Sequence, residues 1–245
     1  MTPIRVQKLH TFTGHRDCVY TIQRSGTDTE FFSGSGDGMI VLWNLQEPDQ
    51  GQLVAKLPNS VYALHYHEAS NFLIAGHNYD GIHILDWQNK KEAASLKMTT
   101  ASIFDIQSAG NLLLVATGDG SLVSVDYKSL SVIRTVKPTD KSARTIAINP
   151  TAGEVAIGYS DDYIRIFDIT DMSLKYAWKA HANSVFTLKY SCDHAFLLSG
   201  SRDARLKIWD VKAGYVQAEE VVAHMYAINH LEFSPDGKHF VTCSM

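Results

Sequence analysis

The sequence predicts an all-β fold in which one four-stranded unit is repeated along the chain. Two segments, 32–44 and 198–210, share a pattern of small residues, an Asp-containing turn and a closing Trp. Three weaker copies lie between them. The closing pairs are spaced 42, 40, 42 and 42 residues apart: Trp43-Asn44, Leu85-Asp86, Val125-Asp126, Phe167-Asp168 and Trp209-Asp210. Such a period indicates a repeat architecture, and four short strands per repeat fit the blade of a β-propeller.

Within each repeat, the residues favour strands over helices. Segments such as 102–106 and 163–167 alternate or are rich in β-branched and aromatic residues, and Gly, Asp and Asn turns separate them. Turn sequences stand at 149–153 and 234–237. Because no segment shows a sustained apolar period of 3.6 residues, the sequence predicts no helix in the repeats.

The period divides one predicted domain, 1–245, into repeats with a closing strand at 6–12. The predicted repeats are 13–56, 57–97, 98–137, 138–179, 180–222 and an incomplete sixth at 223–245. The sixth opens at Ala223-His224, so its closing pair is due about 28 residues on, by the period of the chain. We therefore expect five complete blades plus an unfinished sixth, in a fragment of a longer, seven-bladed protein. Further residues or a partner are expected to cover the open sheet edge.

The first and fifth repeats resemble the WD-repeat family, whose repeat opens with Gly-His and closes with Trp-Asp. The first has Gly14-His15 and Trp43-Asn44, the fifth has Ala180-His181 and Trp209-Asp210, and the His-to-Trp gap is 28 residues in both. The resemblance extends over roughly residues 6 to 245. The second to fourth repeats depart from the pattern, because they lack the opening His and hold other residues at the Trp position: Leu85, Val125 and Phe167.

The resemblance implies a buried hydrogen-bonded chain of His, Ser, Asp and Trp in two repeats. Its members would be His15, Ser33, Asp37 and Trp43 in the first repeat, and His181, Ser199, Asp203 and Trp209 in the fifth. His, Ser and Asp could also form a catalytic triad, but repetition at blade spacing is typical of packing. We therefore predict no catalytic residue. The turn position holds Asp119 and Asp161 in the third and fourth repeats, but Tyr79 in the second, where we expect an irregular turn.

Composition and charge indicate proteins or peptides as partners. The net charge of -4 gives no reason to expect nucleic-acid binding. The sequence contains no run of 18 apolar residues, so it predicts no membrane-spanning helix. Residues 1–5 show no secretory signal. Three widely spaced cysteines indicate no disulfide framework and a reducing, cytoplasmic location: Cys18, Cys192 and Cys243. We expect no nucleic-acid, membrane or small-molecule partner.

The second repeat contains four histidines that raise the question of a metal site. His65 and His67 would share one side of a strand, and His77 and His83 lie in the same repeat. Zinc needs three or four convergent ligands, and alternating residues on an exposed strand face explain the pattern more simply. The sequence also lacks a Gly-rich phosphate loop. We therefore expect neither a metal nor a cofactor.

One position on the innermost strand recurs with the repeat and is the predicted partner-binding site. It holds Tyr20, Tyr62, Phe104, Arg144, Phe186 and Asn229, and small residues stand two positions earlier: Cys18, Ser60, Ser102, Ser142, Ser184 and Ala227. The resemblance places the recurrent position beside the upper mouth of the channel, on the top face. The residue before each turn Asp is expected at the same rim: Gly36, Asn78, Gly118, Ser160 and Arg202.

Four aromatic rings at one opening could form a cage for an inserted side chain, and a cationic one would gain about 0.5–2 kcal/mol from cation–π attraction. The alternative is that the rings pack between blades, in which case they would be buried. The resemblance implies a non-catalytic scaffold that binds a peptide or protein surface. The rival hypothesis is a propeller hydrolase or lyase with its site in the channel, but only Asp105 and Arg144 stand out as charged on the inner strands. A purely structural subunit is a third possibility.

Overall fold

The computed structural model describes residues 6–222 and 224–244, which form strands joined by turns. The strands build five four-stranded antiparallel sheets and one two-stranded sheet, and each four-stranded sheet pairs its strands in chain order. The predicted fold class, all-β with five complete blades and an incomplete sixth, is therefore confirmed. Residues 1–5 of the predicted domain, and Ala223 and Met245 at the ends of the predicted sixth repeat, lie outside the described residues.

The described chain groups into two compact units, whereas the sequence predicts one domain. The first unit runs up to His77 and includes His83–Ala94, and the second comprises Asn78–Ile82 and the chain from Ser95 onward. The first unit contains the first sheet and, apart from residues 78–82 and 95–96, the second. Their strands are β1 (Val19–Arg24), β2 (Glu30–Ser35), β3 (Met39–Asn44), β4 (Glu47–Lys56), β5 (Val61–His67), β6 (Phe72–His77), β7 (Gly81–Asp86) and β8 (Lys91–Leu96).

The second compact unit contains the other four sheets. The third and fourth sheets comprise β9 (Ile103–Ala109), β10 (Leu112–Thr117), β11 (Leu122–Asp126), β12 (Ser131–Val136), β13 (Ala143–Asn149), β14 (Glu154–Tyr159), β15 (Tyr163–Asp168) and β16 (Leu174–Lys179). The fifth and sixth comprise β17 (Val185–Tyr190), β18 (Phe196–Ser201), β19 (Leu206–Asp210), β20 (Val216–Val221), β21 (Ile228–Phe233) and β22 (Phe240–Ser244).

Burial changes from strand to strand within a blade. In the four-stranded sheets the second and third strands are the most buried, and in β14 every residue is buried, whereas the fourth strand, as in β12, is almost wholly exposed. A strand covered on both faces is expected to be continuously apolar, as the Leu-Leu-Leu-Val-Ala run of β10 is. The cores therefore lie around the second and third strands, and the first strands are left to carry the polar and aromatic residues that could serve a function.

Aromatic side chains complete the core of each unit. In the first, Trp43 meets the edge of Phe12 at a ring-centroid distance of 5.6 Å. In the second, the Trp178 ring stacks on Tyr215 at 5.3 Å and meets the edge of Trp209 at 5.3 Å. These contacts join the third and fourth strands of neighbouring sheets, so they tie successive blades of the second unit together.

Glycines on the second strands allow neighbouring sheets to approach closely. A Cβ added at Gly158 of β14 would lie 2.7 Å from Val185 Cγ1 on β17. Equivalent distances are 2.7 Å from Gly34 to Val61 and 2.6 Å from Gly200 to an Ile228 methyl group. Because real Cβ contacts are longer than this, only glycine fits, and in these three pairs the first strand of the following sheet packs directly on the backbone.

The turns between second and third strands have one left-handed residue in four of the sheets: Gly38, Gly120, Asp162 and Ala204. The turn of the second sheet differs, because both Tyr79 (φ 77°) and Gly81 (φ 96°) adopt this conformation. Non-glycine residues seldom do so, since Cβ crowds the backbone. The second repeat therefore has the irregular turn that the sequence predicts.

Residues 6–12, the predicted closing strand, have no strand conformation in the structure. A strand needs a hydrogen-bonding partner, and the expected partner, a third strand of the sixth sheet, is not among the described residues. The pairing that would close the last blade therefore stays a prediction.

Candidate functional site

The recurrent position lies at the same place in all six sheets, the second residue of the first strand. We call its residues the rim residues: Tyr20 in β1, Tyr62 in β5, Phe104 in β9, Arg144 in β13, Phe186 in β17 and Asn229 in β21. Tyr20 and Asn229 are exposed, and the other four are half-buried. None is fully buried, so packing between blades does not account for all of their surface.

Each rim residue is the extra residue of a β-bulge. In the first sheet, Val19 pairs with Ser35 and Thr21 with Gly34, which leaves Tyr20 without a partner in the ladder. The same shift in register occurs at the rim residue of every other sheet. A bulge redirects a side chain that regular pleating would send to one face. Sequence reasoning found the position from its period, but the apolar pattern gave no sign of the bulge.

A repeated backbone hydrogen bond holds the residue before the turn Asp close to the start of the first strand, where the rim residue lies. The N–H of Gly36 donates to Cys18 O at 2.8 Å, and that of Arg202 donates to Ser184 O at 3.0 Å. Gly118 and Ser160 make the equivalent bond to Ser102 and Ser142. In four sheets, the backbone carbonyl of the small residue two positions before the rim residue therefore accepts this hydrogen bond. The bond links the first strand, which carries the rim residue, to the residue before the turn Asp. Arg202 is exposed, and Asn78 of the second repeat is half-buried.

In the first compact unit, the rim residues form a tyrosine pair. The rings of Tyr20 and Tyr62 lie 4.6 Å apart at 49°, and Tyr20 is 49% exposed. Burial, then Tyr62, Cys18 and Asp17, raise the pKa of the Tyr20 hydroxyl. A Cβ at Gly36 would lie 2.7 Å from an Asp17 carboxylate oxygen, so glycine makes room for that carboxylate. The pair therefore offers aromatic faces next to a negative charge.

In the second compact unit, the rim residues hold a cation that belongs to the protein itself. The Arg144 guanidinium carbon lies 4.1 Å from the Phe104 ring centroid and 5.7 Å from that of Phe186. Arg144 Nε donates to Ser160 Oγ at 2.9 Å. The predicted cage for an incoming cation is thus already occupied at these two rings, which changes the chemistry that this part of the rim can offer.

The first repeat has the polar chain that its motif implies. Trp43 Nε1 donates to Ser33 Oγ at 2.7 Å, and His15 Nε2 lies 2.7 Å from the same oxygen. His15 Nδ1 lies 3.1 Å from Asp37 Oδ2. Since Asp37 must accept, Nδ1 carries the proton and Nε2 accepts from the serine hydroxyl. Burial raises the pKa of Asp37, but the N–H groups of Arg16 and Met39 and the His15 ring outweigh it and hold that pKa at about 2.

The fifth repeat repeats this geometry closely. Trp209 Nε1 donates to Ser199 Oγ at 2.9 Å, His181 Nε2 lies 2.8 Å from that oxygen, and His181 Nδ1 lies 3.0 Å from Asp203. All four side chains are buried or nearly so. The sixth sheet holds part of the same chain, with His224 Nε2 2.7 Å from Thr242 Oγ1. Because these hydrogen bonds recur inside blades, their role is to stabilise the blade.

The third and fourth repeats replace this chain with other partners for the turn Asp. Asp161 accepts two hydrogen bonds from the Arg165 guanidinium, at 2.9 and 2.7 Å, and that guanidinium lies over the Tyr159 ring. Asp119 accepts from Thr117 Oγ1 at 2.6 Å. Each turn carboxylate is therefore satisfied without histidine, which explains how these repeats tolerate the loss of the motif.

Sequence reasoning missed part of the charge on the first strands of the second unit. Lys189 and Glu232 form an ion pair at 2.8 Å between β17 and β21. The Asp105 carboxylate accepts from the Ile146 N–H at 2.7 Å and from the Gln107 side chain, and burial raises its pKa. The signal was the alternation along β17, which places Lys189 on the same face as Thr187, the residue that corresponds to Asp105 in the repeat.

The histidines of the second repeat pair with each other instead of converging. His77 Nε2 lies 2.7 Å from His83 Nε2, and Glu92 lies 3.2 Å from the other nitrogen of His83. Burial, followed by the nearby His67, lowers the pKa of His65 to about 4. Among residues 6–222 and 224–244, no three His, Cys, Asp or Glu side chains are grouped to hold a metal ion.

Two further features bear on the environment of the protein. The three cysteines are free and exposed, Cys18 being two residues from Tyr20 at the rim. Within the part of the chain that the structure describes, we find no helical segment with the length and apolar character that a membrane crossing requires.

Comparison with known proteins agrees with the geometry of the blades. The family model described as WD domain, G-beta repeat matches residues 6–44, 172–210 and 217–245. WD repeat-containing protein 1 of Xenopus tropicalis is 25% identical over 250 residues, covering 99% of this chain and 40% of that protein. Pre-mRNA-processing factor 19 of Caenorhabditis elegans is 27% identical over 164 residues, covering 62% and 33% respectively. Striatin-3 of Homo sapiens is 22% identical over 222 residues, covering 87% and 23%.

This chain spans 40% or less of the length of each of these relatives. The three matched segments include both repeats in which the His–Ser–Asp–Trp chain is complete, and the unmatched sheets between them have the same strand order. The resemblance seen in the repeat motifs is therefore confirmed, and the chain is similar to proteins of the WD-repeat family.

Proposed function

We propose that the protein is a non-catalytic interaction scaffold that binds a peptide or a protein surface at its rim residues. WD-repeat relatives are generally interaction scaffolds, which supports this role. The observation that carries the proposal is the β-bulge at every rim residue, because six bulges at one repeated position redirect six side chains in the same way. Exposed aromatic residues of this kind are common anchors for protein partners.

The tyrosine pair of the first compact unit is suited to a cationic side chain of the partner. The faces of Tyr20 and Tyr62 carry negative quadrupole potential, and Asp17 adds a formal charge nearby. A lysine or arginine over these rings would gain about 0.5–2 kcal/mol. Because Tyr20 is half exposed before binding, the rings are accessible without rearrangement.

The alternative function, a hydrolase or lyase, has little support from the groups that could carry it. His15, Ser33 and Asp37 have the order of a triad, but Ser33 is 3% exposed and its oxygen already accepts from Trp43. A substrate could reach that hydroxyl only by displacing a buried tryptophan. On the first strands, burial raises the pKa of Glu232, but His230 and Lys189 outweigh it and hold that pKa at about 2, which suits an ion pair better than acid–base catalysis.

Site-specific photo-crosslinking tests the scaffold proposal. A benzophenone amino acid at position 62 should crosslink a partner protein in a lysate of the source organism, and mass spectrometry would identify it. The control places the same amino acid at Tyr176, an exposed residue on the outer strand β16. We expect a crosslink specific to position 62, because only that residue lies at the rim.

Binding of the purified partner then measures the contribution of individual residues. Tyr62→Ala and Phe186→Ala should each weaken the affinity about tenfold, which corresponds to about 1.4 kcal/mol. Tyr176→Ala should leave the affinity unchanged. Equal crosslinking at positions 62 and 176, or unchanged affinity in both rim variants, would exclude the rim residues as the binding site.

A further inference from the structure

Arg144 is the one charged residue among the six rim residues, and its neighbours hold it in place. Two phenylalanine rings from the adjacent sheets flank the guanidinium, at 4.1 and 5.7 Å, and its Nε donates to Ser160 Oγ. Ser160 is itself fixed, because its N–H donates to Ser142 O at 2.9 Å. The planar group therefore has a defined position in the unbound protein, although Arg144 is only half-buried.

Two acidic residues stand next to the contacts of Arg144 in the sequence, and both accept hydrogen bonds from other donors. Asp161, next to Ser160, accepts two hydrogen bonds from Arg165. Asp105, next to Phe104, accepts the N–H of Ile146, and burial raises its pKa, which weakens its negative charge. At the rim of the fifth sheet, Arg202 adds a second, exposed guanidinium. This part of the rim is therefore rich in positive charge.

A guanidinium between two rings repels an incoming cation and favours an anion. Arginine presents paired N–H donors in one plane, which matches the oxygens of a carboxylate or a phosphate. A side chain that is already ordered loses little conformational entropy on binding, so each hydrogen bond contributes more to affinity. Both effects favour an acidic ligand over the lysine or arginine that suits the tyrosine pair.

We propose that Arg144, held between Phe104 and Phe186, binds an acidic side chain, carboxylate or phosphate, of a partner peptide. This inference rests on the proposed scaffold function and assigns a ligand class to the rim of the second compact unit. Arg202 contributes a second charge to the same rim. The carboxylate and phosphate forms share one chemistry, a pair of oxygens that accepts two parallel N–H groups of the guanidinium, and differ in charge.

Fluorescence polarisation with three labelled ten-residue peptides tests this assignment in the full chain. One peptide carries four glutamates, one carries four phosphoserines, and one carries four lysines at the same positions. We expect both acidic peptides to bind in a way that depends on Arg144, whereas binding of the lysine peptide at the Tyr20–Tyr62 pair should not depend on it. Tighter binding of the phosphoserine peptide would identify phosphate as the ligand group, and equal binding would identify any anionic side chain.

Four variants connect the binding to the arginine and its rings. Arg144→Gln should weaken the acidic peptide about tenfold or more, Arg144→Lys should weaken it less, and Phe186→Leu should weaken it although the charge remains. The matched control is Arg134→Gln, which removes an exposed positive charge on the outer strand β12. If Arg144→Gln does not fold, Arg144→Lys and Phe186→Leu give the same comparison.

Three outcomes would overturn the assignment. They are binding of the acidic peptides that is equal in wild type and Arg144→Gln, equal weakening by Arg144→Gln and Arg134→Gln, and no binding of either acidic peptide. This failure differs from failure of the scaffold proposal, because a crosslink at position 62 and its loss in rim variants do not depend on Arg144. Acidic peptides that bind equally to wild type and to Arg144→Gln would indicate general attraction to positive charge.

Discussion

Asp203 receives donors from three directions in the fifth repeat. Besides the His181 ring, the N–H groups of Ala182 and Arg205 donate to its carboxylate at 2.9 Å each. Asp203→Ala leaves the buried His181 ring and the two backbone N–H groups without this acceptor, so we expect the free energy of unfolding to fall by about 1–3 kcal/mol. Urea denaturation monitored by circular dichroism measures this change.

Asp140→Ala is the matched control, because it removes an exposed carboxylate whose partner, Lys137, lies 3.3 Å away at the surface. Exposed ion pairs contribute about 0–1 kcal/mol, so this variant should unfold almost as the wild type does. Equal denaturation midpoints for wild type and Asp203→Ala would remove the polar chain as a source of stability.

The first repeat makes stability depend on pH through Asp37. Its pKa is about 2 in the folded protein, against 3.8 for an unperturbed aspartate. The unfolded chain therefore binds the proton first as the pH falls, and the stabilisation present above about pH 4 is lost progressively towards pH 2. Unfolding free energies at pH 7, 4, 3 and 2 should show a steeper decline for the wild type than for Asp37→Asn. Parallel profiles would contradict this linkage.

Residue identities were predictable where a motif is local and repeated, and not where a contact depends on neighbouring blades. The sequence names His181, Ser199, Asp203 and Trp209, and the structure brings them within hydrogen-bonding distance. The position of Arg144 between two phenylalanines could not be predicted, because each ring comes from a different repeat. Asp161 is a similar case, since its partner Arg165 has no place in the family motif.

At the scale of the strand, two local features determine how blades are built: the β-bulge at the rim residue and the glycine on the second strand. The bulge redirects one side chain at the start of the first strand, and the glycine allows the next sheet to approach the second strand. The strand order and turn positions could be predicted from the period, because turns are local. The register shift could not, since it depends on which residues pair across two strands.

Gly158→Ala tests the close approach of two sheets in the second compact unit. The new methyl group would meet Val185 Cγ1 at 2.7 Å and Thr145 Cγ2 at 2.8 Å. Such overpacking costs about 1–3 kcal/mol, which should appear as a lower free energy of unfolding. Chemical denaturation of the single variant measures the cost.

A double-mutant cycle with Val185→Ala provides the control. Val185 is fully buried, so its truncation alone is destabilising, but it also removes the methyl group that the new Cβ would meet. We expect the double variant to be less destabilised than the sum of the single variants. Strict additivity would mean that the two positions do not contact each other in solution.

At the scale of the whole molecule, the predicted single domain and the two compact units make different predictions for unfolding. Asp37 lies in the first unit and Asp203 in the second. In a single cooperative domain, Asp37→Ala and Asp203→Ala shift the same thermal transition. We expect one calorimetric transition for the wild type and a shift of all of it in both variants. Two transitions, each moved by one variant, would show that the units unfold separately.

The contact of Trp178 with Tyr215 and Trp209 has a spectroscopic consequence. Rings held 5.3 Å apart in fixed orientations couple their electronic transitions, which gives a strong near-ultraviolet circular dichroism band that disappears when packing is lost. Of the four tryptophans, Trp43 and Trp87 lie in the first compact unit and have phenylalanine neighbours, which absorb weakly at these wavelengths. The exciton signal therefore belongs to the second unit. Loss of its native packing can be followed in the tryptophan region of the near-ultraviolet spectrum of the unlabelled protein, apart from the signal of the Tyr20–Tyr62 pair in the first unit.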